Sequence, residues 1–169
     1  MKKGLIFPMP RFYDRYINLV PDVDLTDAFQ LANEELNKFD VARYEPRGNY
    51  AYAAGKWSMK DVFLHMADTE RVFMYRAMVF SRNDKGPLPG FDEEKYAANT
   101  LNQDRSLSSI VDELKATRIA SEAMFRGFNE AVMLRTGVSW KIETSVLALG
   151  FTMIGHQLHH FKILREKYL

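Results

Sequence analysis

Four stretches of this chain repeat apolar residues at intervals of three and four, the spacing that keeps one face of an α-helix dry. Leu25, Ala28, Phe29, Leu31, Ala32, Leu36 and Phe39 form such a stripe and predict a helix over 25–42, with Asp24 as its N-cap. Ser58, with Asp61 three residues on, reads as a capping box in which Asp replaces the usual Glu, and it opens a helix to about Arg82. Ile110, Leu114, Thr117, Ala120, Met124 and Phe128 predict a third helix over 107–130. The last runs over 142–167 and ends in Arg165 and Lys167, cations suited to the negative end of a helix. No segment alternates convincingly enough to predict a strand, so the fold class is all-α, a four-helix bundle.

The connections follow from the punctuation between these stripes. Residues 1–24 hold three of the six prolines together with Phe7, Phe12, Tyr13 and Tyr16, and read as an extended arm packing on the bundle. Residues 43–57 read as an aromatic, glycine-punctuated loop. Gly86-Pro87-Leu88-Pro89-Gly90 makes 83–91 a stiff turn at a pocket rim, followed by a short helical piece over 92–98. Residues 134–141 join the third helix to the last.

Composition narrows the function. A length of 169 residues that is 47% hydrophobic suits one domain over 1–169 with a sizeable core. Lys plus Arg is 23 and Asp plus Glu 22, so no global positive field points to nucleic acid or a membrane surface. The longest apolar stretch, 146–154, is far short of the roughly 20 residues of a membrane span. The apolar run before Pro8 is also too short for a signal peptide, so the expected location is cytoplasmic. Without cysteine the chain supplies no thiolate, and any thiol in its chemistry must come from outside.

All four histidines fall on two of the predicted helices. His156 and His160, four apart, present their imidazoles to one side. Taking about 100° per residue, His160 lies near +40° of His156 and His159 near −60°. Leu149, Met153 and Leu164 fall between roughly 0° and +80°, so His156 and His160 face the core and His159 its edge. His65 shares an inward face with Val62, Thr69, Val72 and Arg76. Two histidines from one helix and one from another leave coordination positions free, the arrangement of an open metal site. Either block alone also suits a hydrogen-bonded core histidine; the concentration of all four favours the metal. Asp61 has a capping role first, and Asp68, three residues after His65, competes with it as the partner that would orient the imidazole.

The run Gly55 to Arg71, GKWSMKDVFLHMADTER, and the ending Gly155 to Leu169, GHQLHHFKILREKYL, resemble the DinB-like (DinB/YfiT) superfamily. Phe80-Ser81-Arg82-Asn83-Asp84 and Leu88-Pro89-Gly90-Phe91-Asp92 fit the same pattern, so the likeness covers nearly the whole chain. It implies a bundle with up-down-down-up connectivity and a divalent metal held by three histidines, matching His65, His156 and His160. His159 matches a position that is usually not a ligand. Relatives of known activity are thiol-dependent transferases and isomerases, in which the metal is thought to activate a low-molecular-weight thiol such as bacillithiol or mycothiol; relatives also form homodimers. Asp61 stands where Glu is common in the family. Val138-Ser139-Trp140 replaces a more polar, glycine-containing stretch and is expected to alter the pocket wall.

Three functions are then expected, in this order. The first is a thiol-dependent S-transferase acting on small electrophiles, with a metal-bound thiol as nucleophile. The second is a hydrolase using metal-bound water, for which Asp68 is the weak neighbouring carboxylate, Glu70 lies on the outer wheel, and Glu34 or Glu122 would have to reach across. The third is a non-catalytic metal-binding bundle, with Met59, Met66, Met74 and Met78 as core or interface. Arg76, about 16 Å along the helix from His65, is expected in a buried ion pair. Three imidazoles suit zinc, nickel, iron(II) or cobalt.

Overall fold

The computed structural model describes residues 1–100, 102 and 104–169. Among the described residues eight α-helices and one hairpin follow in chain order: α1 (Asp14–Ile17), α2 (Leu25–Lys38), α3 (Val41–Tyr44), α4 (Met59–Ser81), α5 (Glu93–Ala98), α6 (Leu107–Arg126), α7 (Glu130–Met133), β1 (Thr136–Ser139), β2 (Ile142–Ser145) and α8 (Val146–Lys167). The long helices α2, α4, α6 and α8 make the bundle. α4 packs on α6 and α8, and α2 packs on the same two from the other side, so α2 and α4 lie across one diagonal.

Direction can be read from the contacts. Arg71 of α4 meets Glu113 of α6, and Met74 meets Ser121 further along both, so these neighbours are parallel. His65 meets His156 while Phe63 meets the later Phe161, so α4 and α8 are antiparallel. Gln157 bonds Ala32 and Arg165 bonds Glu35, so α2 and α8 are parallel. The connectivity is up-down-down-up. A chain leaving α4 must return the length of that helix, about 34 Å for 23 residues, before starting its parallel neighbour. The long 82–106 segment makes that return, and α5 forms within it, capped by Asp92 through Lys95 N–H at 3.0 Å.

Several boundaries differ from the sequence pattern. α2 stops at Lys38, because Asp40 breaks the run and caps the separate turn α3 by accepting from Arg43 N–H at 3.2 Å. The 43–57 segment thus begins in a helix and contains a 3₁₀ turn at Glu45–Arg47, whose Glu45 carboxylate caps α6 at Leu107 and Ser108. Asp24 occupies the N-cap position of α2 without capping it; its carboxylate pairs with the Met1 amine at 3.0 Å. The arm is not simply extended: α1 folds within it and packs on α8. The third helix ends at Gly127, and Asn129 starts α7 by accepting from Val132 N–H.

The expected absence of strands is corrected. β1 and β2 form an antiparallel hairpin, Thr136 opposite Ser145 and Ser139 opposite Ile142. Its two turn residues, Trp140 (φ 48°) and Lys141 (φ 63°), take the left-handed backbone a tight two-residue hairpin needs. Neither is Gly, Asn or Asp, so the usual signal is absent. The last helix therefore begins at Val146, with Ser145 accepting from Ala148 N–H at 3.1 Å. Among the described residues no helix is long and apolar enough to cross a membrane.

Two apolar clusters fill the bundle, one around Phe29, Phe80, Phe125 and Phe151, the other around Leu36, Phe63, Leu114 and Leu164. Between them a polar belt crosses the interior at mid-height: Thr69 and Glu70 on α4, Thr117, Arg118 and Ser121 on α6, His156, Gln157 and His160 on α8. Buried polar groups at this density persist only when they are paired. Arg118 donates to Glu70 twice, at 2.8 and 2.7 Å, and Gln157 donates to the Ala32 carbonyl at 2.8 Å. Glu70, expected on the outer wheel, is thus an inside residue, and that buried ion pair is the one sequence reasoning had given to Arg76.

Candidate metal centre

The belt opens to solvent between α4 and α8, and the histidines line the opening. Ser58 starts α4 with both halves of the capping box: its hydroxyl accepts from Asp61 N–H, and the Asp61 carboxylate accepts from Ser58 N–H at 2.8 Å. Asp61 also accepts from Asn102 at 2.6 Å and is a structural residue. That start sets the phase of α4 so that His65, two turns on, turns toward α8. On α8, Gly155 allows the arm to seat directly on the helix: a Cβ there would fall 2.0 Å from the Tyr16 carbonyl oxygen. The Tyr16 ring then lies edge-on to His156 at 5.3 Å and to His159 at 5.5 Å.

The Nε2 of His156 stands 3.0 Å from that of His65 and 3.1 Å from that of His160, and the three ligand atoms all lie within 4.8 Å of one another. A tetrahedral ion with metal–nitrogen bonds of about 2.0–2.1 Å holds its ligand atoms roughly 3.3 Å apart, close to this spacing. One imidazole nitrogen carries either one proton or one lone pair, so His156 cannot answer both neighbours with separate full hydrogen bonds. A shared cation would satisfy all three, and the donor set fits a divalent metal. His159 lies outside the convergent group and lines the cavity beside it.

Electrostatics keep these rings ready. Burial, with a smaller contribution from His159, pushes the His65 pKa down to about 4. Burial first, and then the neighbouring imidazoles, holds His156 and His160 well below the usual histidine value. All three are therefore neutral near pH 7, with nitrogen lone pairs to offer. The group that faces the other nitrogen of His65 is Thr69, whose Oγ1 lies 3.4 Å from Nδ1, a long contact. Asp68 does not reach the imidazole; it accepts from Arg71 at 3.2 Å, and burial outweighs that arginine to raise its pKa. Glu34 and Glu122 are also engaged elsewhere, with Lys38 and with Asn33 and Arg126.

The open side faces a cavity of about 230 Å³. Trp57 forms one wall, its ring 4.6 Å from His65. Its indole donates to Glu94 at 3.1 Å, and its carbonyl accepts from Tyr168 at 2.6 Å, so the end of the chain holds this wall in place. The opposite wall is Phe12 against Trp140, ring centroids 5.1 Å apart. The hairpin thus carries Trp140 to the mouth, where Gly90 leaves room for it: a Cβ at 90 would meet the indole at 2.5 Å. The expectations that 83–91 forms a rim and that Val138-Ser139-Trp140 shapes the pocket match this placement. Sequence reasoning missed Glu93 and Glu94, exposed acids on the cavity edge, because helical periodicity says nothing about which loop folds over which helix.

The sequence profile of the DinB superfamily matches residues 21–164, all four bundle helices with their connections. The chain belongs to the DinB superfamily. Among solved structures it is similar to YfiT from Bacillus subtilis, described as a probable metal-dependent hydrolase with an unusual four-helix bundle topology. The TM-score is 0.62 at 16% identity, covering 91% of this chain and 86% of YfiT. At that identity the likeness establishes the shared fold. No curated protein matches the chain by sequence.

Proposed function

We propose that this protein holds one divalent metal ion, zinc, nickel or iron(II), through His65, His156 and His160 and hydrolyses a small electrophilic substrate in the adjoining cavity. The observation that carries the reading is the convergence of three neutral imidazole nitrogens on one point whose remaining side opens into an aromatic cavity. The description of YfiT as a probable metal-dependent hydrolase supports it. A bound divalent ion supplies Lewis acidity, polarising the electrophile and easing ionisation of the attacking group.

The chain's own residues do the rest. Trp57 and Tyr16 hold the His65 and His156 rings in orientation by ring contacts. Phe12, Phe91 and Trp140 present apolar surface to the substrate. Glu93 is the cavity-edge carboxylate placed to take a proton, Glu94 being engaged by Trp57.

One observation favours transfer to an external thiol as a second reading. The carboxylates nearest the histidines on α4 are already committed, Asp68 to Arg71 and Glu70 to Arg118. A thiol, ionising more readily than water, makes less demand on a base.

The test is elemental analysis of the untagged protein beside His65→Ala, His156→Ala, His160→Ala and His159→Ala, with ester hydrolysis and thiol addition to an electrophile assayed on each. Near-stoichiometric metal retained only in wild type and His159→Ala, with hydrolysis following the metal, is the expected result. Metal-dependent thiol addition without hydrolysis would select the second reading. No metal after reconstitution with zinc, nickel and iron(II) would refute both.

A further inference from the structure

Arg76 is 3% exposed and sits in the wall of the same cavity, yet among the described residues it has no carboxylate partner. Its guanidinium donates from Nη1 to the Tyr13 hydroxyl and from Nη2 to the Pro89 carbonyl, both at 3.0 Å, and to no other described group. Both acceptors are neutral. The expected buried ion pair is therefore absent among the described residues, while another buried arginine, Arg118, has its full bidentate carboxylate. An arginine cannot shed its proton, so a guanidinium out of water without an anion carries a desolvation cost of several kcal/mol. Two of its five donors are used, and the cavity is where the others find a partner.

Distances set what that partner must be. The Arg76 guanidinium carbon is 5.7 Å from the Phe73 ring, which is 6.4 Å from the His156 ring, so guanidinium and imidazole are no more than about 12 Å apart. Helical side chains lean toward the N-terminus, which brings the end of Arg76 back along α4 toward His65. A cavity of 230 Å³ between them equals about seven or eight water volumes, room for one small molecule reaching both.

We infer that Arg76 is the anchor for a carboxylate on the substrate, in the same cavity that the three histidines line. This names the substrate class for the chamber proposed above and rests on that reading. A carboxylate suits the site better than a phosphate: one buried guanidinium balances one negative charge, and the other cation in the cavity wall, Arg15, is exposed and lies over the Phe12 ring at 3.9 Å. Glu93 and Glu94, also exposed, would repel a second anionic group at the mouth.

The only two tryptophans, Trp57 and Trp140, both line the cavity, so intrinsic fluorescence reports occupancy without requiring turnover. The metal-loaded full chain is titrated with 4-phenylbutyrate, with its neutral amide and with inorganic phosphate. The acid is expected to bind at least about tenfold more tightly than the amide, the size of a buried charge-assisted hydrogen bond, and more tightly than phosphate. Arg76→Met should abolish the preference, Arg76→Lys should weaken but keep it, and Arg15→Met should leave it within about threefold. His160→Ala, which loses the metal if the three-histidine reading holds, should retain it, so failure of the metal reading does not disguise itself as failure here. Equal binding of acid and amide by wild type would overturn the inference, as would a preference for phosphate. A preference that survives Arg76→Met but vanishes in His160→Ala would place the carboxylate at the histidines and overturn it too.

Discussion

Arg118→Met should cost this protein about 3–5 kcal/mol of stability, although Arg118 touches no substrate and lies outside every motif. The guanidinium and the Glu70 carboxylate are 2% and 4% exposed and joined by two hydrogen bonds of 2.8 and 2.7 Å. Removing the arginine leaves a carboxylate in the polar belt between two apolar clusters, where water does not reach it. For a chain of this size each kcal/mol lowers Tm by roughly 2–4 °C, so the variant should melt about 6–20 °C below wild type. The double variant Glu70→Met/Arg118→Met should recover most of the loss, because two apolar groups of similar volume need no partner. Urea unfolding followed by circular dichroism measures all four corners of the cycle, and an unchanged m-value shows that the native state is still compact. A single variant within 1 kcal/mol of wild type, or a double variant no better than the single, would show that the belt is hydrated and that the pair is not what holds it.

Metal-free protein should lose stability as pH falls from 6.5 toward 4. The unfolded imidazoles take up protons near 6.5, whereas burial holds His65 down to about 4 and His156 and His160 well below the ordinary value. In that window the unfolded state binds more protons, so the stabilisation complete above 6.5 drains away on acidification. Urea midpoints at pH 7.5 and 5.0 test it, and a wild-type difference no larger than that of a His156→Leu/His160→Leu variant would count against the assignment. Gly155→Ala should loosen the arm, since the new methyl meets the Tyr16 backbone at 2.0 Å. Overpacking of about 1–3 kcal/mol exceeds the helix-propensity gain of roughly 1 kcal/mol. Faster proteolysis near Tyr16 with α8 intact is the expected outcome, and an unchanged cleavage rate contradicts the seating described here.

Much of the molecule was legible in the residue pattern because helical faces are local. The stripe predicted over 25–42, the Ser58–Asp61 box and the i, i+4 pair His156–His160 each depend on neighbours within two turns; the box and the pair match the structure, and the stripe does so at Leu25, Ala28, Phe29, Ala32 and Leu36, while Leu31 is exposed and the helix stops at Lys38. The inward turn of His65 followed from the same phase. What only the tertiary structure decided were relations between segments far apart in sequence. Glu70 looked exposed on its own wheel because its partner Arg118 is 48 residues away. Arg76 looked paired because buried arginines usually are, and only packing shows neutral Tyr13 and Pro89 oxygens beside it. The hairpin escaped detection because its turn residues, Trp140 and Lys141, adopt a backbone that glycine or asparagine normally marks. Periodicity thus encodes which face of a helix is dry, since burial repeats with the helix itself. Which charges meet in the interior and which loops wall the cavity depend on how the helices dock, and that is settled by the whole chain at once.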